Sequence, residues 1–415
     1  MNILLGILKY PPDYAGDGLR LHCSLQRWIQ RGAVSGAYVL TSWDHTSSRH
    51  VSALDGIKII RPVECTCKLK FEGVHRWLKK ITVPFQCLRL VFAYFRLCRG
   101  IDLVLTSGSG WLPSLVGWLA ILSGKPLVKE TVLLGSDDPL SLAKNKSARI
   151  RWFFTFPFRR ADLIITISPP LEKACLAFGI PENKIWSRFN PIEMPAVPEN
   201  APPHPATVTD LPIILWVGTV SERKNVEFLM RAACALLFPA RILFVGPCPN
   251  AEYLEKLKNI QKNVPPWVEI RFVESIENQA ALAGFYSRAK LFWFASKNEG
   301  MGNVIAESLM CGTPVVTLPV MGIMKTVIPS EEDGEVIETA NPRVFARAAA
   351  RWLMKNNDRA ATAERARRRF SPEKIDELYL EHFLQVTKRR IPPGPRSWKL
   401  GWTPAQTVTI GDLRS

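Results

Sequence analysis

Short, continuous apolar runs separated by stretches of helical periodicity set the plan of this chain. In its first half, residues 2–8 (NILLGIL), 36–41 (GAYVLT), 57–60 (IKII), 102–107 (DLVLTS), 126–131 (PLVKET) and 163–168 (LIITIS) are rich in Leu, Ile and Val. Runs without polar alternation are what strands covered on both faces require. The rhythm stops at residues 191–212, where seven prolines leave no room for a regular helix or a central strand. It resumes with 213–219 (IILWVGT), 241–246 (RILFVG), 268–273 (VEIRFV), 291–296 (LFWFAS) and 313–319 (TPVVTLP), with helices such as 225–237 and 278–289 between them. The pattern predicts an α/β chain of two Rossmann-like, doubly wound parallel-sheet domains, residues 1–190 and 213–370, joined by a proline-rich linker at 191–212. Open parallel sheets bind ligands beyond the carboxyl ends of their strands, so two such domains facing each other would place a site in the cleft between them. Ile375, Leu378, Tyr379, Phe383 and Val386 recur at helical spacing, which predicts a helix over 371–390 that packs back on the first domain. Residues 391–415 read as a tail.

Composition narrows the class. An apolar fraction of 47% is that of a globular protein, not of a disordered chain. No run approaches the roughly 18 to 20 apolar residues of a spanning helix, and the start reads as a strand, not a signal peptide, so a cytoplasmic protein is expected. Nine cysteines without a regular framework read as buried thiols of a reducing compartment; Cys65 and Cys67 have no second Cys/His pair at zinc spacing. His22 and His75 read as structural.

The net charge of +17 is less ordinary, and most of the excess falls before residue 196. Within 61–99, Arg76, Lys79, Lys80, Arg89, Arg96 and Arg99 interleave with Trp77, Phe85, Phe92, Tyr94 and Phe95. That mixture suits peripheral contact with anionic lipid headgroups; two core helices with basic outer faces are the plainer alternative. No nucleic-acid-binding signature accompanies the charge.

The candidate chemistry centres on residues 298–316, NEGMGNVIAESLMCGTPVV. Glu299 and Glu307 stand eight positions apart, with Gly300, Gly302 and Asn303 between them. Along a helix that step covers about 12 Å and turns about 80° away, so the two carboxylates cannot converge on one atom and suit two parts of one extended ligand. A helix starting near Asn303 would open its N–H groups toward an anion. Upstream, 215–229 (LWVGTVSERKNVEFL) reads as a strand, a turn at Gly218 and a helix start, with Arg223 and Lys224 placed to neutralise a diphosphate. Hydroxyls, phosphates and ribose in one ligand describe a nucleotide sugar.

Residues 299–316 resemble the E-x7-E signature of the retaining GT-B glycosyltransferases of group 1, or family 4. Residues 216–233 are similar to that family's phosphate-binding strand-loop-helix, 161–193 to the end of its first domain, and 10–32 to its N-terminal glycine loop. The resemblance implies that Glu299 binds the transferred sugar together with N–H groups near Gly302, Asn303 and Val304, that Glu307 binds the ribose, and that Lys224 and Arg223 bind the diphosphate. Gly16 and Gly18 would let the first loop approach that diphosphate. It further implies transfer with retention, without a protein nucleophile and without a catalytic divalent metal or other cofactor, so Asp137 and Asp138 read as loop carboxylates.

The chain departs from the family pattern in two places. Thr219 stands where an Arg is common, and Lys129, Glu130 and Thr131 replace a region that often supplies a His. Asp17, Glu130, Asp137 and Asp138 are the candidates to meet acceptor hydroxyls. The expected activity is sugar transfer from a nucleotide-diphosphate sugar to a glycan or lipid-linked saccharide in cell-surface polysaccharide or glycoconjugate synthesis, at the inner face of the plasma membrane. A nucleotide-sugar hydrolase or epimerase, a soluble-disaccharide synthase and a non-catalytic binding subunit are the alternatives.

Overall fold

A computed structural model describes residues 1–13, 16–44, 48–50, 52–64, 75–197, 202–276 and 278–390. Cys65, Cys67, the side chains of His75, Arg76, Trp77, Lys79 and Lys80, and the expected tail at 391–415 lie outside the described residues. The chain divides into two compact units, one formed by Met1–Pro191 with the helix that starts at Pro372, the other by Ile192–Ser371.

The first unit runs β1 (Asn2–Gly6), α1 (Gly16–Gln30), β2 (Gly36–Trp43), β3 (Ala53–Leu54), β4 (Ile57–Glu64), α2 (His75–Cys98), β5 (Leu103–Ser107), α3 (Trp111–Leu122), β6 (Leu127–Thr131), α4 (Pro139–Asn145), α5 (Ala148–Arg160), β7 (Leu163–Thr166), α6 (Pro169–Ala177) and β8 (Ile185–Ser187). Its sheet has the order β3-β4-β2-β1-β5-β6-β7-β8 and is parallel apart from the short β3. Leu4 sits opposite Tyr38 on one side and Val104 on the other, so the order reverses at β1 and β5.

The second unit runs β9 (Ile213–Val217), α7 (Val226–Cys234), β10 (Ala240–Val245), α8 (Ala251–Gln261), β11 (Val268–Val273), α9 (Gln279–Arg288), β12 (Leu291–Phe294), α10 (Asn303–Met310), β13 (Val315–Thr317), α11 (Met324–Val327), β14 (Gly334–Val336), α12 (Pro342–Met354) and α13 (Arg359–Phe370). Its all-parallel sheet has the order β11-β10-β9-β12-β13-β14, with the reversal at β9 and β12. The last helix, α14 (Pro372–Arg390), returns to the first unit.

Alternation within the strands builds a layer on each face of the first sheet. Ile3 and Leu5 face one side, where Leu21, Leu25 and Trp28 of α1 and Tyr379, Phe383 and Val386 of α14 cover them. Leu4 faces the other side, against Leu90 and Tyr94 of α2, Val116 of α3 and Phe158 of α5. The rings of Trp28 and Phe383 meet edge to face at 5.4 Å, and Arg27 Nε donates to Asp376 at 2.6 Å, which ties α14 to α1. In the second unit, Trp216 and Phe244 of the sheet pack with Leu229 of α7 and Phe345 of α12.

Several elements differ from the sequence reading. The three-residue strands β8 and β14 and the two-residue β3 are too short to show an apolar run. Residues 75–98 form one 24-residue helix, not two. The expected linker is not a free connection along its described second half: Arg241 donates to the carbonyl oxygens of Ala206 and Val208, at 3.2 and 2.6 Å, and so holds that segment on the second unit. Proline-rich chain cannot satisfy its carbonyls in a ladder of its own, and a side chain does so here.

Candidate active site

In the second unit the loops that follow β9 and β12 meet at the point where the strand order reverses. The chain leaves β9 through Gly218, whose φ of +149° favours glycine, and passes through a short 3-10 turn, Glu222–Lys224. Asn225 in the left-handed region, at φ +56°, then redirects the chain into α7. Gly246, at the end of β10, lies against this turn: a Cβ there would stand 2.1 Å from the Gly218 carbonyl oxygen, so only glycine fits.

This turn is stitched to the loop after β12. Lys297 N donates to the Arg223 carbonyl at 2.9 Å, and the Arg223 guanidinium donates to the Asn298 carbonyl at 2.9 Å. Lys224 Nζ donates to Glu299 Oε1 at 2.6 Å, and Arg223 reaches the same oxygen at 3.3 Å. Three residues proposed from two separate motifs, Arg223, Lys224 and Glu299, are therefore in contact. The Lys224 ammonium also lies 5.8 Å from the centroid of the Phe294 ring. The Lys224 and Glu299 side chains are largely buried, whereas half of the Arg223 side chain is exposed.

Helix α10 starts at Asn303, with Gly302 at φ +85° before it and no side chain capping its first turn. Glu299 therefore lies in the loop and Glu307 on the second turn of the helix. Its carboxylate accepts from Tyr286 Oη at 2.8 Å. Burial raises the Glu307 pKa, and the tyrosine hydrogen bond and the Lys224 charge oppose that rise. Tyr286, on α9, was not singled out from sequence because it lies 21 residues upstream of the glutamate it meets. Tyr286→Phe should weaken nucleoside diphosphate binding about 5-fold by titration calorimetry, the scale of one hydrogen bond of about 1 kcal/mol. Unchanged affinity would show that this hydroxyl does not orient Glu307 for binding.

The first unit carries a second polar cluster at the carboxyl ends of β5 and β6. Glu130, fully buried, accepts from Arg20, Arg188, Tyr379 and Ser107. Its burial alone would raise its pKa, but the two guanidiniums outweigh that effect and hold it below the usual carboxylate range. Asp17 accepts from Arg20 at 2.5 Å and from the Ser107 hydroxyl. Asp138 caps α4, accepting from the backbone N–H of Ser141 and of Gly135. Asp137 is half-buried, and burial pushes it up to about 6 against the pull of Lys129.

Of the four acceptor candidates, Glu130 and Asp138 are thus saturated by structural partners, while Asp17 and Asp137 keep partial exposure. Gly16 has open space about its Cα, whereas a Cβ on Gly18 would stand 2.5 Å from the Lys9 carbonyl oxygen, so Gly18 is required by packing. His22 bonds Tyr10 and Asp55, as a structural histidine would. Among the described residues no group of three or more His, Cys, Asp or Glu could hold a metal ion, and no helix is long and apolar enough to cross a membrane.

Residues 199–369, which contain Arg223, Lys224, Glu299 and Glu307, match the family model of glycosyl transferases group 1. A D-inositol 3-phosphate glycosyltransferase of Xylanimonas cellulosilytica is 32% identical over 188 residues, 44% of each chain. The lipopolysaccharide core biosynthesis glycosyltransferase LpsE of Rhizobium meliloti is 26% identical over 229 residues, 54% of this chain and 64% of that one. The chain thus spans less than two thirds of either relative's length. The crystal structure of Anabaena Alr3699/HepE in complex with UDP and glucose has a TM-score of 0.68 at 17% identity, covering 93% of this chain and 100% of that one, a likeness of fold. Residues 199–369 are thus similar to the group 1 glycosyl transferases, and the chain's two parallel-sheet α/β units have the GT-B fold.

Proposed function

We propose that the protein is a retaining glycosyltransferase of family 4 that moves a sugar from a nucleotide-diphosphate sugar to a glycan or lipid-linked saccharide in cell-surface polysaccharide or glycoconjugate synthesis. The observation that carries the reading is the contact of Lys224 and Arg223 with Glu299 at the reversal of the second sheet. Two cations meet a diphosphate there, Glu299 accepts from sugar hydroxyls, and Glu307 on α10 accepts from ribose hydroxyls. The bond from the anomeric carbon to the diphosphate oxygen breaks as the acceptor oxygen bonds the same face, and the acceptor's proton passes to the departing diphosphate. The cations stabilise the charge that develops on that leaving group. Asp17 and Asp137 are the acceptor-side carboxylates in this reading.

The UDP and glucose named for the Anabaena structure and the lipopolysaccharide core named for the Rhizobium relative support the donor and acceptor classes. The reading includes no catalytic metal, and it places the protein on the cytoplasmic face of an anionic membrane through residues 61–99. A thermal-shift panel of nucleotide sugars tests the donor. A ligand at 100 times its Kd stabilises the folded state by about 2.7 kcal/mol, enough to raise Tm by about 5 °C or more. The shift should persist in EDTA, and the anomeric configuration of the donor should be kept in the product. No shift with any nucleotide sugar, or donor turnover that needs no acceptor, would overturn the proposal.

A further inference from the structure

The outer side of α2 is apolar where a surface helix should be polar. Phe85, Leu88, Phe92 and Phe95 are 62%, 65%, 72% and 49% exposed, and their steps of three, four and three residues align them in one stripe. Leu90 and Tyr94, on the opposite side, are buried under the sheet, so α2 already has its core contact and the stripe is a second apolar face. Arg89 and Arg96 lie within about 80° of the stripe's centre by helix geometry, and Arg99 follows. Between residues 73 and 101 the chain contains no Asp or Glu. A groove of about 440 Å³, lined by Ile60, Arg61, Pro62, Leu88, Arg89 and Phe92, runs beside the stripe where β4 ends.

Helix α5 repeats this chemistry on the same face of the sheet, since α2, α3 and α5 share one core layer. Trp152 is 60% exposed and Ile150 47%, and Trp152 packs with Trp118 of α3 and Phe156. Arg151, Arg159 and Arg160 are exposed, and residues 139–161 again contain no Asp or Glu. Arginine beside exposed Phe, Leu and Trp is the chemistry of an interfacial helix: rings and aliphatic chains enter the acyl boundary while guanidiniums meet phosphate.

We propose that this face, α2 with α5, is a docking surface for an anionic lipid bilayer, with α2 lying in the plane of the interface. Resting on the reading of a lipid-linked acceptor, the proposal assigns the lipid contact to specific residues. An acidic protein partner would account for the arginines but not for four large apolar side chains in one line. Duplex nucleic acid would leave the same four without an apolar partner.

The test is flotation of the full chain, without donor, on vesicles of phosphatidylglycerol and phosphatidylcholine and on phosphatidylcholine alone. Binding should require the anionic lipid and weaken as salt rises. Leu88→Glu with Phe92→Glu, and separately Arg89→Glu with Arg96→Glu, should each lower partitioning at least 10-fold. Leu237→Glu, at an 80% exposed site on the second unit, should leave it unchanged. The UDP-induced thermal shift of all variants should match that of the unmodified chain, which shows that they are folded and separates docking from donor binding. Equal binding by wild type and both double variants overturns the proposal, as does a stripe covered in a stable dimer or duplex DNA binding lost through the same variants in place of vesicle binding. Vesicle binding with the expected losses, but no transfer to any lipid-linked saccharide, would uphold the surface and refute the acceptor class.

Discussion

Glu299→Ala should lower kcat/KM for sugar transfer about 100-fold while leaving affinity for the free nucleoside diphosphate unchanged or higher. The first half follows from the proposed role of this largely buried carboxylate as acceptor for sugar hydroxyls, each such charge-assisted bond being worth about 1.5–3 kcal/mol. The second half follows from what Glu299 does without ligand. Its Oε1 is the acceptor for Lys224 at 2.6 Å and for Arg223 at 3.3 Å, so an arriving diphosphate competes with it for both cations. Removing the carboxylate frees them. Lys224→Ala should behave in the opposite sense, weakening nucleoside diphosphate and nucleotide sugar alike, because the same cation serves both. Titration calorimetry with the nucleoside diphosphate and initial rates with the sugar nucleotide separate the two variants. Transfer by Glu299→Ala at the wild-type rate would remove Glu299 from the site. Equal loss of nucleoside diphosphate affinity in both variants would instead make Glu299 a residue that positions the cations.

How far the sequence reveals this arrangement depends on chain distance. Strand β9 and the loop at Arg223 and Lys224 are contiguous, and so are Gly302 and α10, and such local signals are readable because turn chemistry and apolar runs are properties of neighbours. The tie between the two motifs spans 75 residues, and spacing alone does not contain it. Strands β8 and β14 have three residues each and show no apolar run, so their burial follows from the neighbouring strand and not from any pattern of their own. Residues 75–98 show the reverse case. Their apolar positions are plain in the sequence, but periodicity does not say that Leu90 and Tyr94 face the sheet while Phe92 faces away from it. Glu130 exposes the limit most fully: a carboxylate at the end of a strand reads as a binding group, and only the fold supplies Arg20, Arg188 and Tyr379, from 110, 58 and 249 residues away.

That buried cluster carries the largest expected effect on stability. Glu130 is the anion shared by two buried guanidiniums, and it also accepts from Tyr379 Oη at 2.8 Å, so it joins the sheet to both α1 and α14. Glu130→Gln keeps the size and shape but leaves Arg20 and Arg188 short of a counter-charge. Breaking a buried pair in this way costs about 3–5 kcal/mol, because the partner's desolvation is no longer offset. Asp17 limits the loss at Arg20, which it also meets at 2.5 Å, whereas the other hydrogen bonds of the Arg188 guanidinium, to the Phe189 carbonyl and Asn190 Oδ1, are to neutral acceptors. The effect should depend on pH with a definite sign. Since Glu130 titrates lower in the folded than in the unfolded chain, it contributes its full stability above the unfolded carboxylate pKa of about 4.3 and loses that contribution as pH falls through the folded value. The gap between wild type and Glu130→Gln should therefore be widest near pH 7 and narrow in acid. Urea unfolding followed by tryptophan fluorescence, to which Trp28 and Trp186 beside Tyr379 contribute, measures the gap. A gap below about 1 kcal/mol at pH 7, or one that widens in acid, would show that the two arginines do not depend on Glu130 for their charge balance.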